Sequence, residues 1–505
     1  MTQNDASGFI RALSCALLLS GCSSSTPPQE DAAMETAAQH DAQRNDQATA
    51  SEGGALNEAG SSEAGSDLLA DSSVQPSTGA LRWAKAAGSD SAQAATDVAS
   101  LVGGGSVVVG RFEDDVTFGA GEPGAIGLSL GEAVQGTFIA RYDGVGRVIW
   151  AKAGQVNAGT APVVTVTTDG GFVMAGLCRD GAAIGTVALP VCQAFIARYL
   201  DDGSLVWAKA LKATAAPYRS NLAIAADTTG GFYLAGRTDR SFVAHYDKSG
   251  AEDWVRAVGA SSYVFPRLAA HAEGTVTVVG GFEGTMTLGE GEPEETTLTS
   301  VGDNDLFVAR YASSGVLLHA QRVAVDDMPY RGVSLPGRVY SMDVTSAPNG
   351  GSVLAGTYSG IVTFGPGHPA ETKIQSENTV PFAVYFKADG APGWAQTYPS
   401  PTGEIENVRA VAVDADGSIR MAGDWDSNGK AGAFLASYEE SGVVQWEHRM
   451  NAVGSIGYSV ALGQGGSTTM VGQFWNTTVF GENETNETTL ISPAGQPSIF
   501  LARYD

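Results

Sequence analysis

From Leu81 to Asp505 the apolar residues come in short runs rich in Val, Ile, Phe, Tyr and Trp, each bounded by Gly, Asp or Ser. Runs of this kind predict β-strands joined by tight turns rather than amphipathic helices. They also recur. A turn followed by an apolar run ending in glycine appears as "VGGGSVVVGRF" from Val102, "TDGGFVMAGLC" from Thr168, "TTGGFYLAGRT" from Thr228 and "AEGTVTVVGGF" from Ala272. It returns at Pro348, Asp414 and Gly463. A second phrase, "FIARYD", begins at Phe138 and recurs at Phe195, Phe242, Phe307, Phe382, Phe434 and Phe500, so each landmark is present seven times. A third, an aromatic or apolar residue near the end of a strand, falls at Trp150, Trp207, Trp254, Leu318, Trp394 and Trp446.

Each repeat spans about sixty residues and holds four runs, A to D, as in "VVTVTT", "FVMAGL", "AFIARYL" and "LVWAKAL" of the second copy. The final copy stops at "FLARYD", while a lone "LRWAKAAG", Leu81 to Gly88, stands ahead of the first. The expectation is an all-β fold: a seven-bladed β-propeller of four-stranded antiparallel blades, the last closed by an N-terminal strand at residues 81–87. A stacked solenoid is the alternative, but an open array needs polar caps rather than two complementary halves of one unit.

What precedes Leu81 has a different composition. Ala12 to Ser20, "ALSCALLLS", is sized like a signal-peptide core and too short to span a bilayer. It ends in Leu19-Ser20-Gly21-Cys22, which resembles a bacterial lipobox; an ordinary cleaved signal peptide is the other reading. The resemblance implies a signal peptide over 1–21 and a diacylglycerol-bearing Cys22. Ser23 to Gly79 holds ten acidic residues, one arginine and no aromatic residue, which predicts a self-repelling disordered linker over 22–79 ahead of a propeller over 80–505. The net charge of −26 disfavours nucleic acid as a partner.

The phrases "DNDLFVARYASSG" (Asp303 to Gly315) and "VAVDADGSIRMAGDW" (Val411 to Trp425) resemble the β-propeller repeats of exported bacterial proteins, notably myxobacterial lipoproteins. "ARYDGVGRVIW" is also similar to the tryptophan-docked blades of quinoprotein dehydrogenases and of the outer-membrane assembly lipoprotein. The resemblance implies architecture and a location in the cell envelope, lipid-anchored at the outer membrane, and names no activity.

In such a blade the A–B and C–D turns share one face, and the B–C loops and D–A crossovers share the other. The first set is short and regular here. The B–C segments vary, from "RTDR" near Arg237 to "EGTMTLGEGEPEETTLTSVGDND" from Glu283, which marks the second face as the candidate binding surface. Three crossovers place an aromatic and an arginine before strand A: Tyr218 with Arg219, Phe265 with Arg267, and Tyr330 with Arg331. A fourth brings Glu404, Glu406 and Arg409. These residues could stack on a sugar or pair with a carboxylate, or they could simply order the crossovers.

No catalytic motif, cofactor fingerprint or metal-ligand spacing stands out among the six histidines and the acidic residues. "DADG" at Asp414 to Gly417 lacks the distal carboxylates of a calcium loop. Cys178 ends one strand and Cys192 begins its hairpin partner, which predicts a disulfide in an oxidising compartment. The reading is a non-catalytic scaffold for a protein or glycan. A polysaccharide lyase or hydrolase acting at the channel mouth, and an envelope-assembly scaffold, are the alternatives.

Overall fold

The computed structural model describes residues 78–505 apart from short segments at 132–134, 157–160, 212–221, 238–239, 259–264, 302–303, 332, 399–404, 428–429, 451–453 and 494. The signal peptide, Cys22 and nearly all of the acidic linker lie outside the described residues. What is described is an all-β propeller whose one helical turn is Gln464–Gly466.

Antiparallel A–B–C–D sets recur along the chain. The first is Gln93–Ser100, Ser106–Glu113, Gln135–Tyr142 and Val148–Gln155; the second is Val163–Val166, Phe172–Leu177, Ala194–Tyr199 and Leu205–Leu211. Next come Ala223–Ala226, Phe232–Arg237, Ser241–Tyr246 and Glu252–Ala257, then Arg267–Ala270, Val276–Phe282, Asp305–Tyr311 and Leu317–Asp326. Arg338–Ser346, Ser352–Phe364, Thr372–Phe386 and Pro392–Thr397 follow, and after them Ile405–Val413, Ile419–Ser427, Lys430–Tyr438 and Val444–Arg449. The last set takes Ile456–Leu462, Thr468–Phe474 and Ser498–Tyr504 from the C-terminal end and Leu81–Gly88 from the start of the folded body.

Seven separate four-stranded sheets are not what the pairing produces. Among the described residues, six sheets have four or more strands: two of six, one of eight and three of four. The reason lies in three of the B–C segments, which reach back to the preceding outer strand. Asp115–Phe118 pairs with Leu81–Gly88, and Ala182–Ile184 pairs with Val148–Gln155. The far half of Ser352–Phe364 pairs with Leu317–Asp326 and fuses two repeats into the eight-stranded sheet. Segments expected to vary as loops thus carry a second periodic motif, seen in "VTFGAGEP", "MTLGEGEP" and "VTFGPGHP".

The two sequence landmarks prove to be cross-strand partners. Gly110 faces Phe138, Gly176 faces Phe195 and Gly472 faces Phe500. A Cβ on Gly110 would stand 2.6 Å from the Phe138 ring, so the glycine makes room for the phenylalanine. The B and C strands are buried on both faces, as in Val276–Phe282 and Asp305–Tyr311, because each sheet is sandwiched between its neighbours. The apolar core lies between successive sheets; one cluster joins Val107, Val109 and Trp150 to Phe172, Met174 and Phe195.

Four joints between repeats are latched by a tryptophan whose indole N–H bonds to the next repeat. Trp83 Nε1 donates to Gly144 O at 3.1 Å, Trp150 to Asp201 O at 2.8 Å, Trp207 to Lys248 O at 3.3 Å and Trp254 to Ser313 O at 2.8 Å. The acceptors sit in the C–D turns of the next repeats, two residues before Gly146, Gly203, Gly250 and Gly315. Those glycines have φ near +80° and lie under the indole, where a Cβ would come within 2.7–2.9 Å of it. The fifth joint corrects the sequence reading. His319, not Leu318, occupies the tryptophan register opposite Arg310, and its Nε2 lies 3.3 Å from Ala388 O. Leu318 is the bulged residue, 40% exposed, at the position held elsewhere by Ile149 and Val206.

The ring seam copies an ordinary C–D turn. Gly79 N donates to Asp505 O at 3.0 Å and Asp505 N to Ala80 O at 2.9 Å, matching Gly146 with Asp143 and Asp143 with Arg147. Trp446 packs on Gly79 as Trp83, Trp150, Trp207 and Trp254 pack on their glycines. Cys178 and Cys192 form the expected disulfide, with Cα atoms 5.5 Å apart.

The Trp150 joint offers a direct check. Trp150→Ala is expected to cost about 3–5 kcal/mol, the range for truncating a buried aromatic residue. Gly203→Ala should lose at least about 1 kcal/mol because alanine strains at positive φ. The double variant should lose less than the sum, since both changes break one contact. Urea unfolding reads all three, and a wild-type midpoint for Trp150→Ala would rule the latch out as a source of stability.

Candidate functional site

The innermost strands touch in cyclic order, from Gln93–Ser100 through Ile456–Leu462 and back to Gln93–Ser100. Their first halves enclose a cavity of about 690 Å³ on the side of the crossovers. Counting back four residues from the start of each A–B turn gives one equivalent position per repeat: Asp97, Val163, Ala223, Arg267, Asp343, Ala410 and Ser459, all lining this cavity. At this single level the wall carries two carboxylates, one guanidinium and one hydroxyl.

Asp97 is half-buried and heavily used. Its carboxylate accepts hydrogen bonds from Ser459 Oγ at 2.7 Å, Val164 N at 2.8 Å and Val98 N at 2.9 Å. It therefore ties three neighbouring inner strands as well as facing the channel. Burial pushes its pKa up to about 6, against the pull of those hydrogen bonds and with a further push from Asp343. Asp343 accepts from Val411 N at 3.0 Å, and its carboxyl is likewise raised by burial, opposed by the Arg267 guanidinium.

Nearer the rim stand Arg111, Arg409, Tyr340, Tyr458 and Phe265. Asp424 engages Nε of Arg409, whose Cζ lies 5.7 Å from the centre of the Tyr458 ring. Burial raises the Tyr458 hydroxyl, and the Arg409 and Arg111 guanidinium groups oppose that rise. Tyr340, 50% exposed, also borders a second cavity of about 820 Å³ beside Glu283, Asp327 and Arg338.

The residues singled out in the sequence separate into groups. Phe265, Arg267 and Arg409 line the channel cavity. Tyr330 and Arg331 do not: they belong to the small hairpin Met328–Tyr330 and Val333–Leu335, with the Arg331 guanidinium 5.0 Å from the Tyr330 ring. The crossover before Arg338 folds a hairpin of its own, so that aromatic and arginine fall short of strand A, and Tyr340 takes the rim position. Glu406 is 1% exposed and pairs with Arg449 within its own sheet. Tyr218, Arg219 and Glu404 lie outside the described residues.

Sequence reasoning missed Arg111, Asp97, Asp343, Tyr340 and Tyr458. Arg111 directly follows the landmark glycine of "VVVGRF", a position that holds Arg237 in one other repeat and Leu177, Gly281 or Thr357 elsewhere. Asp97 and Asp343 could have been found by counting back from the turns. The "DADG" turn is explained by its own backbone: Asp416 Oδ1 accepts from Ser418 N at 2.8 Å, and Asp414 pairs with Arg420 at 3.6 Å.

No family model matches the chain, and no curated protein matches it. Solved structures do. Similar ones include the polysaccharide lyase Uly1 (TM-score 0.46, 10% identity, 84% of this chain and 99% of that one). A europium-containing methanol dehydrogenase follows with TM-score 0.39 and 10% identity over 84% of this chain and 93% of that one. The Dos1 propeller has TM-score 0.35 and 10% identity over 65% of this chain and 71% of that one. At these identities the likeness concerns the fold alone.

The Asp97 carboxyl yields a pH test. Its ordinary value is 3.8 and the folded value about 6, so the fold holds the proton more tightly than the unfolded chain does. Stability from this group is fully present below pH 3.8 and is lost as pH rises through about 6. The unfolding free energy of wild type minus that of Asp97→Asn should therefore fall across this interval. A difference that stays level would contradict the assignment.

Proposed function

We propose that this chain is an exported bacterial lipoprotein, anchored through Cys22 at the outer membrane, whose propeller binds a protein or glycan at the channel mouth without catalysis. The observation that carries the binding part is the pooling of Arg111, Arg267, Tyr340, Arg409 and Tyr458 from separate repeats into one cavity. On the opposite face Trp150, Arg198 and Arg310 serve to tie one repeat to the next. The anchor rests on Leu19-Ser20-Gly21-Cys22, and the acidic stretch after it would hold the propeller away from the bilayer.

One observation favours the second reading, an enzyme acting on polysaccharide. Asp97 and Asp343 are raised carboxyls in the same cavity, as a general acid or base requires. The hydrogen bonds that Asp97 receives from three strands give it a structural task first.

Two measurements test the proposal. Detergent phase separation should find the wild type with the membrane and Cys22→Ser in the aqueous phase; equal partition would remove the anchor. Melting of the full-length protein against envelope fractions and a glycan panel should show an upward shift with at least one. A ligand at about a hundred times its Kd adds roughly 2.7 kcal/mol. No shift with any fraction would overturn the binding reading, and cleavage of a glycan during the incubation would favour the enzyme.

A further inference from the structure

The wall of the mouth narrows the chemistry of the ligand. Four inner strands each contain one bulged residue: Thr96, Tyr340, Arg409 and Tyr458. All four line the channel cavity. A bulge re-aims one side chain out of the alternating pattern of its strand. Here the bulges deliver two phenol rings, a guanidinium and a hydroxyl to a single opening, in a chain whose net charge is −26.

We infer that this mouth binds a carboxylate-bearing saccharide, with Arg111 and Arg409 taking its carboxylate beside the Tyr458 ring while Asp97 and Asp343 accept its hydroxyls. The inference rests on the binding reading above and names the ligand class for that site. Three chemistries meet in one cavity, and an acidic sugar uses all of them. Guanidinium groups match a carboxylate in bidentate fashion. The rings of Tyr340, Tyr458 and Phe265 offer flat apolar faces for a pyranose. A carboxylate has about four acceptor positions, so Asp97 keeps capacity beyond the three donors it already has. A free inorganic anion would not use the rings, and a polyphosphate chain would bring several charges past Asp97 and Asp343 where one carboxylate brings a single charge to Arg111 and Arg409.

Calorimetric titration of the full-length protein with three probes tests this: a uronic-acid oligosaccharide, the same oligosaccharide with its carboxyls reduced to alcohols, and inorganic phosphate. The acidic saccharide is expected to bind, and carboxyl reduction to weaken it by about ten-fold or more, the loss of one good polar contact. Arg111→Gln and Arg409→Gln should each weaken binding to a similar extent at a temperature where both remain folded, and Arg409→Lys should lose less than Arg409→Gln. Tyr458→Ala, which leaves every cation in place, is the second line of evidence should an arginine variant fail to fold, and it too should weaken binding. Equal affinity for the reduced saccharide, or phosphate binding as tightly as the acidic one, overturns the inference and leaves the binding reading intact. Absence of binding by all three also overturns it, and the melting shifts with envelope fractions then judge the binding reading separately.

Discussion

The contact on which the architecture depends is an indole lying across a glycine turn. Radial sheets have no helices to cover them, so each must be tied sideways to the next, and a ring holds only if every joint does. A buried indole N–H needs an acceptor. The C–D turn supplies one, a carbonyl two residues before a glycine whose positive φ and missing Cβ leave the ring a flat seat. Phrases such as "DGVGRVIWAKA" therefore record both sides of the joint: the turn is the socket for the preceding tryptophan, and the Trp is the plug for the following turn.

A second tie runs beside it. Arg198 Nη1 donates to Gly230 O at 3.2 Å and Arg310 Nη1 to Gly350 O at 2.7 Å, each reaching the A–B turn of the next repeat, while Arg503 reaches Gly104 O across the seam. Where the arginine is missing, its cross-strand partner takes over. Opposite His245, Tyr233 donates its hydroxyl to Gly274 O at 2.8 Å, and His245 lies 2.8 Å from both Asp227 and Asp253. Opposite Ser437, Arg420 restores a guanidinium, 5.1 Å from the Trp446 ring. In four repeats a donor from this strand pair reaches the next A–B turn, whereas Arg420 stays with Ser437 and Asp414 of its own repeat.

The same facts explain what the sequence could and could not convey. The repeat, the closing strand and the disulfide were legible because each depends on local pattern: Gly with Phe, Trp with turn, Cys at two ends of one hairpin. Sheet extent was not, since pairing of Asp115–Phe118 with Leu81–Gly88 joins segments of different repeats. Leu318 was misread for His319 because an outer-strand bulge shifts the register by one, and a bulge leaves no composition of its own. The site was legible only in part. Phe265, Arg267 and Arg409 stand at the expected crossovers, whereas Tyr340 and Tyr458 reach the channel through bulges that no spacing rule announces.

This division has a physical logic. The A–B and C–D face repeats because most of the ties between neighbouring repeats are made there. The mouth has no such duty. An inner strand that gains a bulge gives up one ladder position but keeps its hydrogen bonds on either side, as the pairing around Arg409 and Tyr458 does. Inner strands of adjacent repeats are further braced by side-chain to backbone bonds, including Thr165 Oγ1 accepting from Ala226 N at 3.0 Å and Asp343 accepting from Val411 N at 3.0 Å. Irregularity is thus tolerated where neighbouring strands already hold one another, and that is where the unlike side chains of the repeats gather. A repeat scaffold becomes specific at the positions where its copies differ, and in this chain those positions converge on the channel mouth.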